Sequence, residues 1–126
     1  MIEFGSSLAK KHPKPIIIYL VGNLGTGKTT FTKGFLQGLG FTGNVKSPTF
    51  TIVETYTVNN NILHHFDLYR IEEADELEYV GIADYFDGSS YVFIEWPQKG
   101  GYLLPKPDLS IEIKYNGDGR ELIINK

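Results

Sequence analysis

The sequence predicts an α/β protein with three layers and a sheet of mixed parallel and antiparallel strands. Three neighbouring features predict it: an apolar, β-branched run, a glycine-rich loop after it, and an amphipathic stretch with helical spacing after the loop. Further along, alternating segments separated by turn residues predict hairpins, which add antiparallel strands. The chain has 126 residues and no long linker or repeat, so we expect a single domain over 1–126.

The first predicted strand covers residues 16–21, whose continuous apolar character is typical of a parallel strand buried on both faces. Pro13 and Pro15 stand before it and disfavour a helix there. A helix is predicted over residues 28–39, and Gly40 is a natural stop for it. Its apolar positions recur at helical spacing: Phe31, Phe35, Leu36 and Leu39.

Residues 49–58 alternate between threonines and apolar side chains, which predicts a half-buried strand. A run of three asparagines can form a turn, and residues 62–68 would return as the second strand of a hairpin. The two histidines in this second strand suggest that it is half exposed. Residues 72–86 begin with acidic side chains and predict a helix interrupted at Gly81.

The last part of the chain predicts three more strands. Residues 91–94 form a short apolar run that ends at Glu95. Residues 109–115 and 121–124 flank the turn sequence Asn-Gly-Asp-Gly, so we expect a terminal hairpin.

Composition excludes several classes of protein. No apolar run approaches the ~20 residues of a membrane span, and the first fifteen residues lack the apolar core of a secretory signal. We therefore expect a cytoplasmic protein without a membrane partner. The absence of cysteine excludes disulfides and thiolate metal sites. Lys and Arg number 12 against 15 acidic residues, so the chain is not expected to grip RNA by itself.

Residues 22–29 read Gly-Asn-Leu-Gly-Thr-Gly-Lys-Thr and match the pattern G-x-x-x-x-G-K-[ST] at every fixed position. Glycines let such a loop wrap a phosphate, and the following helix adds its positive dipole end. We expect Lys28 to face solvent and reach the β- and γ-phosphates, and the Thr29 hydroxyl to ligate Mg²⁺. The context of strand, loop and helix predicts a P-loop NTPase-type fold. The predicted nucleotide-binding residues are Gly25, Thr26, Gly27, Lys28, Thr29 and Thr30.

A P-loop also needs an acidic side chain at a strand end, to position Mg²⁺ or its water ligands. Asp67 and Glu95 both follow predicted strands, and the residues alone leave the choice between them open. Glu95 follows the more uniformly apolar run. His64 and His65 are adjacent, so they point to opposite faces of a strand and cannot bind one metal together.

Two other features bear on the nucleotide. Ser47, Pro48 and Thr49 could form a plain turn into a strand, or a loop that senses the γ-phosphate. The sequence lacks the Asn-Lys-x-Asp tetrapeptide of guanine recognition, which favours ATP over GTP.

Five segments in order make the chain resemble the TsaE (YjeE) family, bacterial ATPases of tRNA threonylcarbamoyladenosine biosynthesis. They are the P-loop at 22–31, Val-Lys-Ser-Pro-Thr-Phe at 45–50, His-Phe-Asp-Leu-Tyr-Arg at 65–70, Glu-Leu-Glu at 76–78 and Ile-Glu-Trp-Pro at 94–97. The resemblance runs from about residue 5 to residue 124.

The resemblance implies an ATP-hydrolysing, Mg²⁺-dependent protein whose catalytic residues are Lys28, Asp67 and Glu95. Thr29 and Glu95 would hold Mg²⁺, Asp67 would act near the γ-phosphate, and residues 47–50 would form a switch loop. Arg120 would lie by the adenine. The partners would be a catalytic and a scaffold protein that attach threonylcarbamoyl to the adenosine beside the tRNA anticodon, with tRNA contacted only indirectly.

Two other classes of protein share a P-loop. A small-molecule kinase would need an acceptor pocket and usually several arginines, whereas this chain has only Arg70 and Arg120. A nucleotide-sensing module that only binds partners would not need both Asp67 and Glu95. We therefore expect slow hydrolysis by the isolated chain and stimulation by its partners.

Overall fold

The computed structural model describes residues 1–23, 25–48 and 51–126. Short 3₁₀ turns at Ile82–Tyr85, Pro97–Lys99 and Gly101–Leu103 accompany the regular elements. In chain order these elements are α1 (Ile2–Lys11), β1 (Ile17–Val21), α2 (Lys28–Leu39), β2 (Val53–Val58), β3 (Asn61–Asp67), α3 (Asp75–Tyr79), β4 (Tyr91–Glu95), β5 (Leu109–Asn116) and β6 (Gly119–Asn125).

The strands form one six-stranded sheet in the order β2-β3-β4-β1-β5-β6. The four inner strands are mutually parallel, and β2 and β6 pair antiparallel at the two edges. The predicted mixed sheet and both predicted hairpins are thereby confirmed. Because β1, β3 and β4 are parallel, their carboxyl ends meet at one edge of the sheet, where Asp67 lies in register with Glu95 and Glu95 with Leu20.

Apolar side chains cover both faces of the sheet and produce the predicted three layers. On one face α1 and α2 pack on the sheet through a cluster that includes Leu8, Phe31, Phe35 and Phe93. On the other face α3 and the following turn contribute a second cluster with Leu77 and Ile82 against Phe66 and Ile94. Alternate residues of β3 and β4 therefore belong to different layers.

Helix α1 was not predicted. Pro13 and Pro15 do not prevent it, because it ends at Lys11, just before them. It packs closely on α2: a Cβ built on Gly34 would lie 2.3 Å from the carbonyl oxygen of Ile2. The crossing of the two helices therefore requires glycine at this position.

Other predicted boundaries shift. The strand expected over 49–58 begins at Val53, and residues 49 and 50 lie outside the described residues. The helix expected over 72–86 is two short pieces separated at Gly81, which has a φ of 68°. The expectation that the second strand of the hairpin is half exposed was wrong: β3 is an inner strand, and residues 65 to 67 are buried.

In the described part of the chain, no helix has both the length and the apolar character needed to cross a membrane.

Candidate functional site

The glycine-rich loop follows β1 and leads directly into α2, as the sequence predicts. Gly25 and Gly27 have φ values of 80° and 108°, in the left-handed region that glycine adopts at little cost. Lys28 is the first residue of α2. The loop therefore lies at the positive end of a twelve-residue helix, an arrangement suited to anions.

A cavity of about 250 Å³ opens beside this loop. Four separate parts of the chain meet there: the loop with the start of α2, the segment before β2, the carboxyl end of β3 and the carboxyl end of β4. Every lining residue is one that the sequence analysis singled out: Gly25, Gly27, Lys28, Thr29, Thr30, Ser47, Asp67 and Glu95. The structure thus brings together most of the predicted site.

Lys28 is buried, with only 5% of its side chain exposed, so the expectation that it faces solvent was wrong. Its Nζ donates a hydrogen bond of 2.7 Å to the carbonyl oxygen of Gly22. The same atom lies 3.5 Å from Oε1 of Glu95 and 4.8 Å from the centre of the Trp96 ring. The ammonium group is held by these contacts at the wall of the cavity.

Both acidic candidates reach the cavity. Asp67 and Glu95 lie on the neighbouring strands β3 and β4, and each residue is only 4% exposed. Oδ1 of Asp67 accepts a hydrogen bond of 3.0 Å from the backbone N–H of Tyr69. The backbone N–H of Leu68 donates to the carbonyl oxygen of Glu95 at 3.1 Å. The two strand ends are therefore tied to each other as well as to the site.

Glu95 has a buried neighbour that the sequence analysis did not assign to the site. Nε2 of His65 lies 2.5 Å from Oε2 of Glu95, and the His65 side chain is fully buried. His64 points to the other face, as predicted, where its Nδ1 lies 2.8 Å from Oγ1 of Thr55. The signal for His65 was its spacing: on a strand it shares a face with Asp67, two residues later.

Arg120 and Thr26 do not line the 250 Å³ cavity. Thr26 is a buried residue of the loop itself, and Arg120 contacts the loop from the terminal hairpin. Nε of Arg120 donates to the carbonyl oxygen of Thr26 at 3.0 Å. The hydroxyl of Tyr115, which sequence reasoning missed, donates to the carbonyl oxygen of Gly25 at 2.6 Å. In a trans peptide the N–H points opposite the carbonyl, so the bond to Thr26 turns the N–H of Gly27 away from the hairpin. The guanidinium carbon also lies 4.1 Å from the centre of the Tyr115 ring.

Of the predicted switch loop, Ser47 is exposed and lines the cavity. Pro48 is buried, and its carbonyl oxygen accepts hydrogen bonds from the N–H groups of Thr51 and Ile52. Thr49 lies outside the described residues. A role in sensing phosphate stays a prediction.

The chemistry of the lining side chains suits Mg²⁺. Thr29, Asp67 and Glu95 offer hydroxyl and carboxylate oxygens, the hard ligands that this ion prefers. With nucleotides, Mg²⁺ usually takes one or two carboxylates and completes its shell with phosphates and water. Across 1–23, 25–48 and 51–126, no group of three or more His, Asp or Glu side chains is placed to hold a metal alone.

Comparison with known proteins gives a consistent result. The family model described as threonylcarbamoyl adenosine biosynthesis protein TsaE matches residues 1–122. A Haemophilus influenzae protein named tRNA threonylcarbamoyladenosine biosynthesis protein TsaE is 48% identical over 127 residues, which cover 97% of this chain and 80% of the relative. A Bacillus subtilis protein of the same name is 47% identical over 102 residues, 81% of this chain but only 63% of the relative.

The fold agrees as well. The crystal structure of Bacillus subtilis YdiB superposes with a TM-score of 0.73 at 38% sequence identity, covering 98% of this chain and 78% of that one. The family model, the relatives and the shared fold indicate the same family as the sequence motifs, which include the P-loop and the two strand-end carboxylates. The chain belongs to the TsaE family.

Proposed function

We propose that the chain binds ATP with Mg²⁺ and hydrolyses it, as the ATPase component of tRNA threonylcarbamoyladenosine biosynthesis. The observation that carries the proposal is the cavity of about 250 Å³ in which Lys28, Thr29, Asp67 and Glu95 meet beside the glycine-rich loop. The names of the relatives from Haemophilus influenzae and Bacillus subtilis support the assignment to this modification of tRNA.

Each lining group has a role in this proposal. The glycine-rich loop and the first turn of α2, including Thr30, receive the phosphates, and Lys28 binds the β- and γ-phosphates. Thr29 and Glu95 hold Mg²⁺, which offsets negative charge on the phosphates during transfer. Asp67 orients the attacking water near the γ-phosphate. Its burial and its hydrogen bond from Tyr69 support this role, because they fix the direction of the carboxylate.

The whole of 1–126 acts in this proposal as one ATPase domain within a cytoplasmic complex. One sheet includes strands from residue 17 to residue 125, which supports a single unit. The partners are a catalytic and a scaffold protein that transfer the threonylcarbamoyl group. A net charge of −3 supports indirect contact with tRNA, because a protein that grips RNA alone usually carries a basic patch.

The first experiment measures nucleotide binding and turnover of the purified chain. ATP titrations with Mg²⁺ and with EDTA give the affinity, and phosphate release with and without candidate acceptors gives the reaction. We expect Mg²⁺-dependent binding and release of phosphate to water. Transfer to an acceptor would instead identify a kinase, and binding without any release would identify a sensing module.

A second experiment tests the biological assignment. Cells depleted of the chain should contain less threonylcarbamoyladenosine in their tRNA, measured by mass spectrometry of tRNA nucleosides. Expression of the wild-type chain should restore the modification, and expression of the Lys28→Ala variant should not. An unchanged level of the modified nucleoside after depletion would contradict the assignment.

A further inference from the structure

We propose that His65 is a positioning residue for Glu95, which it fixes through a hydrogen bond from Nε2 to Oε2. This inference rests on the proposed function, in which Glu95 holds Mg²⁺. His65 contacts neither nucleotide nor metal in this proposal. It acts by setting the direction of the Glu95 carboxylate, which contacts the metal.

The contact follows from the pairing of two parallel strands. His65 on β3 lies in register with Phe93 on β4, and Glu95 follows two residues later. Side chains two residues apart on a strand share a face, so Phe93 and Glu95 point to the same layer. That layer is the one filled by α2, because Phe93 packs against Phe31 and Phe35. His65 therefore reaches Glu95 diagonally across the strand pair.

The direction of the hydrogen bond follows from the surroundings of the ring. An ionised carboxylate only accepts hydrogen bonds, so the hydrogen lies on Nε2 of His65. Nδ1 is buried and has no hydrogen-bond partner among the described residues. A hydrogen on Nδ1 would be a buried donor without an acceptor, which is unfavourable. The hydrogen bond therefore runs from Nε2 of His65 to Oε2 of Glu95.

The two carboxylate oxygens of Glu95 have different neighbours. Oε2 is occupied by His65 at 2.5 Å, whereas Oε1 faces Lys28 at 3.5 Å. The fully buried imidazole has little freedom to move, so it restricts the rotamers open to the carboxylate. Groups that orient the ligands of a metal in this way typically change metal affinity by about 10- to 100-fold when they are replaced.

The test compares His65→Gln with His65→Asn. The amide nitrogen of glutamine can reach the place of Nε2, whereas that of asparagine reaches only the place of Nδ1. The measurement is the Mg²⁺ concentration that gives half-maximal ATP binding. We expect His65→Asn to raise it by about 10- to 100-fold, and His65→Gln to stay close to wild type. His64→Asn, on the opposite face of β3, is the matched control and should leave it unchanged.

Equal losses in His65→Gln and His65→Asn would indicate a packing role and overturn the proposal, and so would a normal Mg²⁺ requirement in His65→Asn. If neither variant folds, ¹⁵N NMR of the wild-type histidine rings at neutral pH decides, because it distinguishes the two tautomers. An Nε2 of His65 that carries no hydrogen would overturn the proposal. If the wild-type protein showed no Mg²⁺-dependent ATP binding, both the proposed function and this inference would be overturned. If the wild-type protein bound ATP normally and His65→Asn had the same Mg²⁺ requirement, only this inference would be overturned.

Discussion

Nζ of Lys28 lies 3.5 Å from Oε1 of Glu95, and each of the two side chains is only 5% exposed. The lysine of the glycine-rich loop and the carboxylate at the end of β4 thus form a buried ion pair. Nζ also donates to the carbonyl oxygen of Gly22, while Oε2 of Glu95 is held by His65. In the proposed function, Lys28 would exchange some of these contacts for the phosphate, whereas Glu95 would keep its hydrogen bond from His65.

Lys28→Ala should therefore lose stability as well as ATP binding. The substitution leaves the Glu95 carboxylate buried without its cation, and removing one partner of a buried pair costs about 3 kcal/mol. Urea denaturation gives the free energy of unfolding, and titration with ATP gives the affinity. We expect both to fall.

Two controls separate the charge effect from lost packing. Glu95→Gln in the Lys28→Ala background removes the unpaired charge and should restore about half of the lost stability but none of the binding. Lys114→Ala removes a lysine that is 52% exposed and 3.7 Å from Glu112, and it should cost less than about 1 kcal/mol. If Lys28→Ala were as stable as Lys114→Ala, the buried pair would have no energetic importance.

Glu95 and Asp67 should differ in what they contribute to turnover. Glu95→Ala should lose Mg²⁺-dependent ATP binding, because Glu95 is the carboxylate assigned to the metal. Asp67→Asn keeps an oxygen that can accept the hydrogen bond from Tyr69, so it should bind ATP nearly normally but lose hydrolysis by about 100-fold. ATP titrations with Mg²⁺ and EDTA, together with phosphate release, measure both effects. The opposite behaviour of the two variants would reverse the assigned roles.

The terminal hairpin should contribute to ATP affinity through the loop carbonyls that it binds. Tyr115→Phe and Arg120→Lys each remove one hydrogen bond to the loop, at Gly25 and Thr26 respectively. A net hydrogen bond is worth ~1 kcal/mol, so each variant should bind ATP about fivefold more weakly. Both residues are exposed, so the free energy of unfolding should change little. Glu121→Ala on the same hairpin is the control, and equal affinities in all three variants would contradict the prediction.

The sequence predicts the elements that carry the glycine-rich loop more fully than it predicts the elements packed around them. Local patterns were enough to predict β1, the loop and α2, because a buried strand, a glycine-rich loop and a helix each have a distinct pattern in adjacent residues. The choice between Asp67 and Glu95 depended on strand order, which local patterns do not contain. In the sheet the two side chains are in register, so both face the cavity.

Helix α1 and the contact of His65 with Glu95 depend on parts of the chain that are distant in sequence. The first residues form a helix that packs on α2, and the glycines Gly34 and Gly38, four residues apart, were the available sign of a close crossing. The spacing of His65 from Asp67 indicates that the two share a face of the strand, but it does not indicate that His65 reaches Glu95, thirty residues later. Its burial follows from the inner position of β3 in the sheet.

Gly34→Ala should destabilise the protein by forcing α1 away from α2. A Cβ at this position would lie 2.3 Å from the carbonyl oxygen of Ile2 and 2.7 Å from its Cα, and backbone atoms cannot easily yield. Overpacking of this kind costs about 1–3 kcal/mol, measured by urea denaturation. Lys33→Ala, on the exposed side of the same helix, should change stability by less than about 0.5 kcal/mol. A Gly34→Ala variant as stable as Lys33→Ala would show that the crossing tolerates a methyl group.

Phosphate release by the isolated chain should be slow and should increase when its partners are added. Phosphoryl transfer needs positive charge at the transition state, and an added arginine can raise the rate by ~10³–10⁵. In the described part of the chain, Lys28 is the only cation that lines the cavity. Nε of Arg120 donates a hydrogen bond to the backbone of the loop. Arg70 lines a separate groove with Tyr69 and Lys99. We therefore expect a partner to supply the missing charge or to order the segment that contains Ser47.

The measurement is steady-state phosphate release at saturating ATP, for the chain alone and with the purified catalytic and scaffold proteins plus tRNA. Stimulation of at least about tenfold is expected, because even one well-placed donor lowers such a barrier by more than 1.36 kcal/mol. Arg70→Ala is the matched control. If Arg70 supplied the charge from within the chain, its removal would abolish the basal rate, whereas we expect that rate to stay nearly constant. A fast basal rate that the partners leave unchanged would contradict the mechanism and favour the kinase reading of the P-loop.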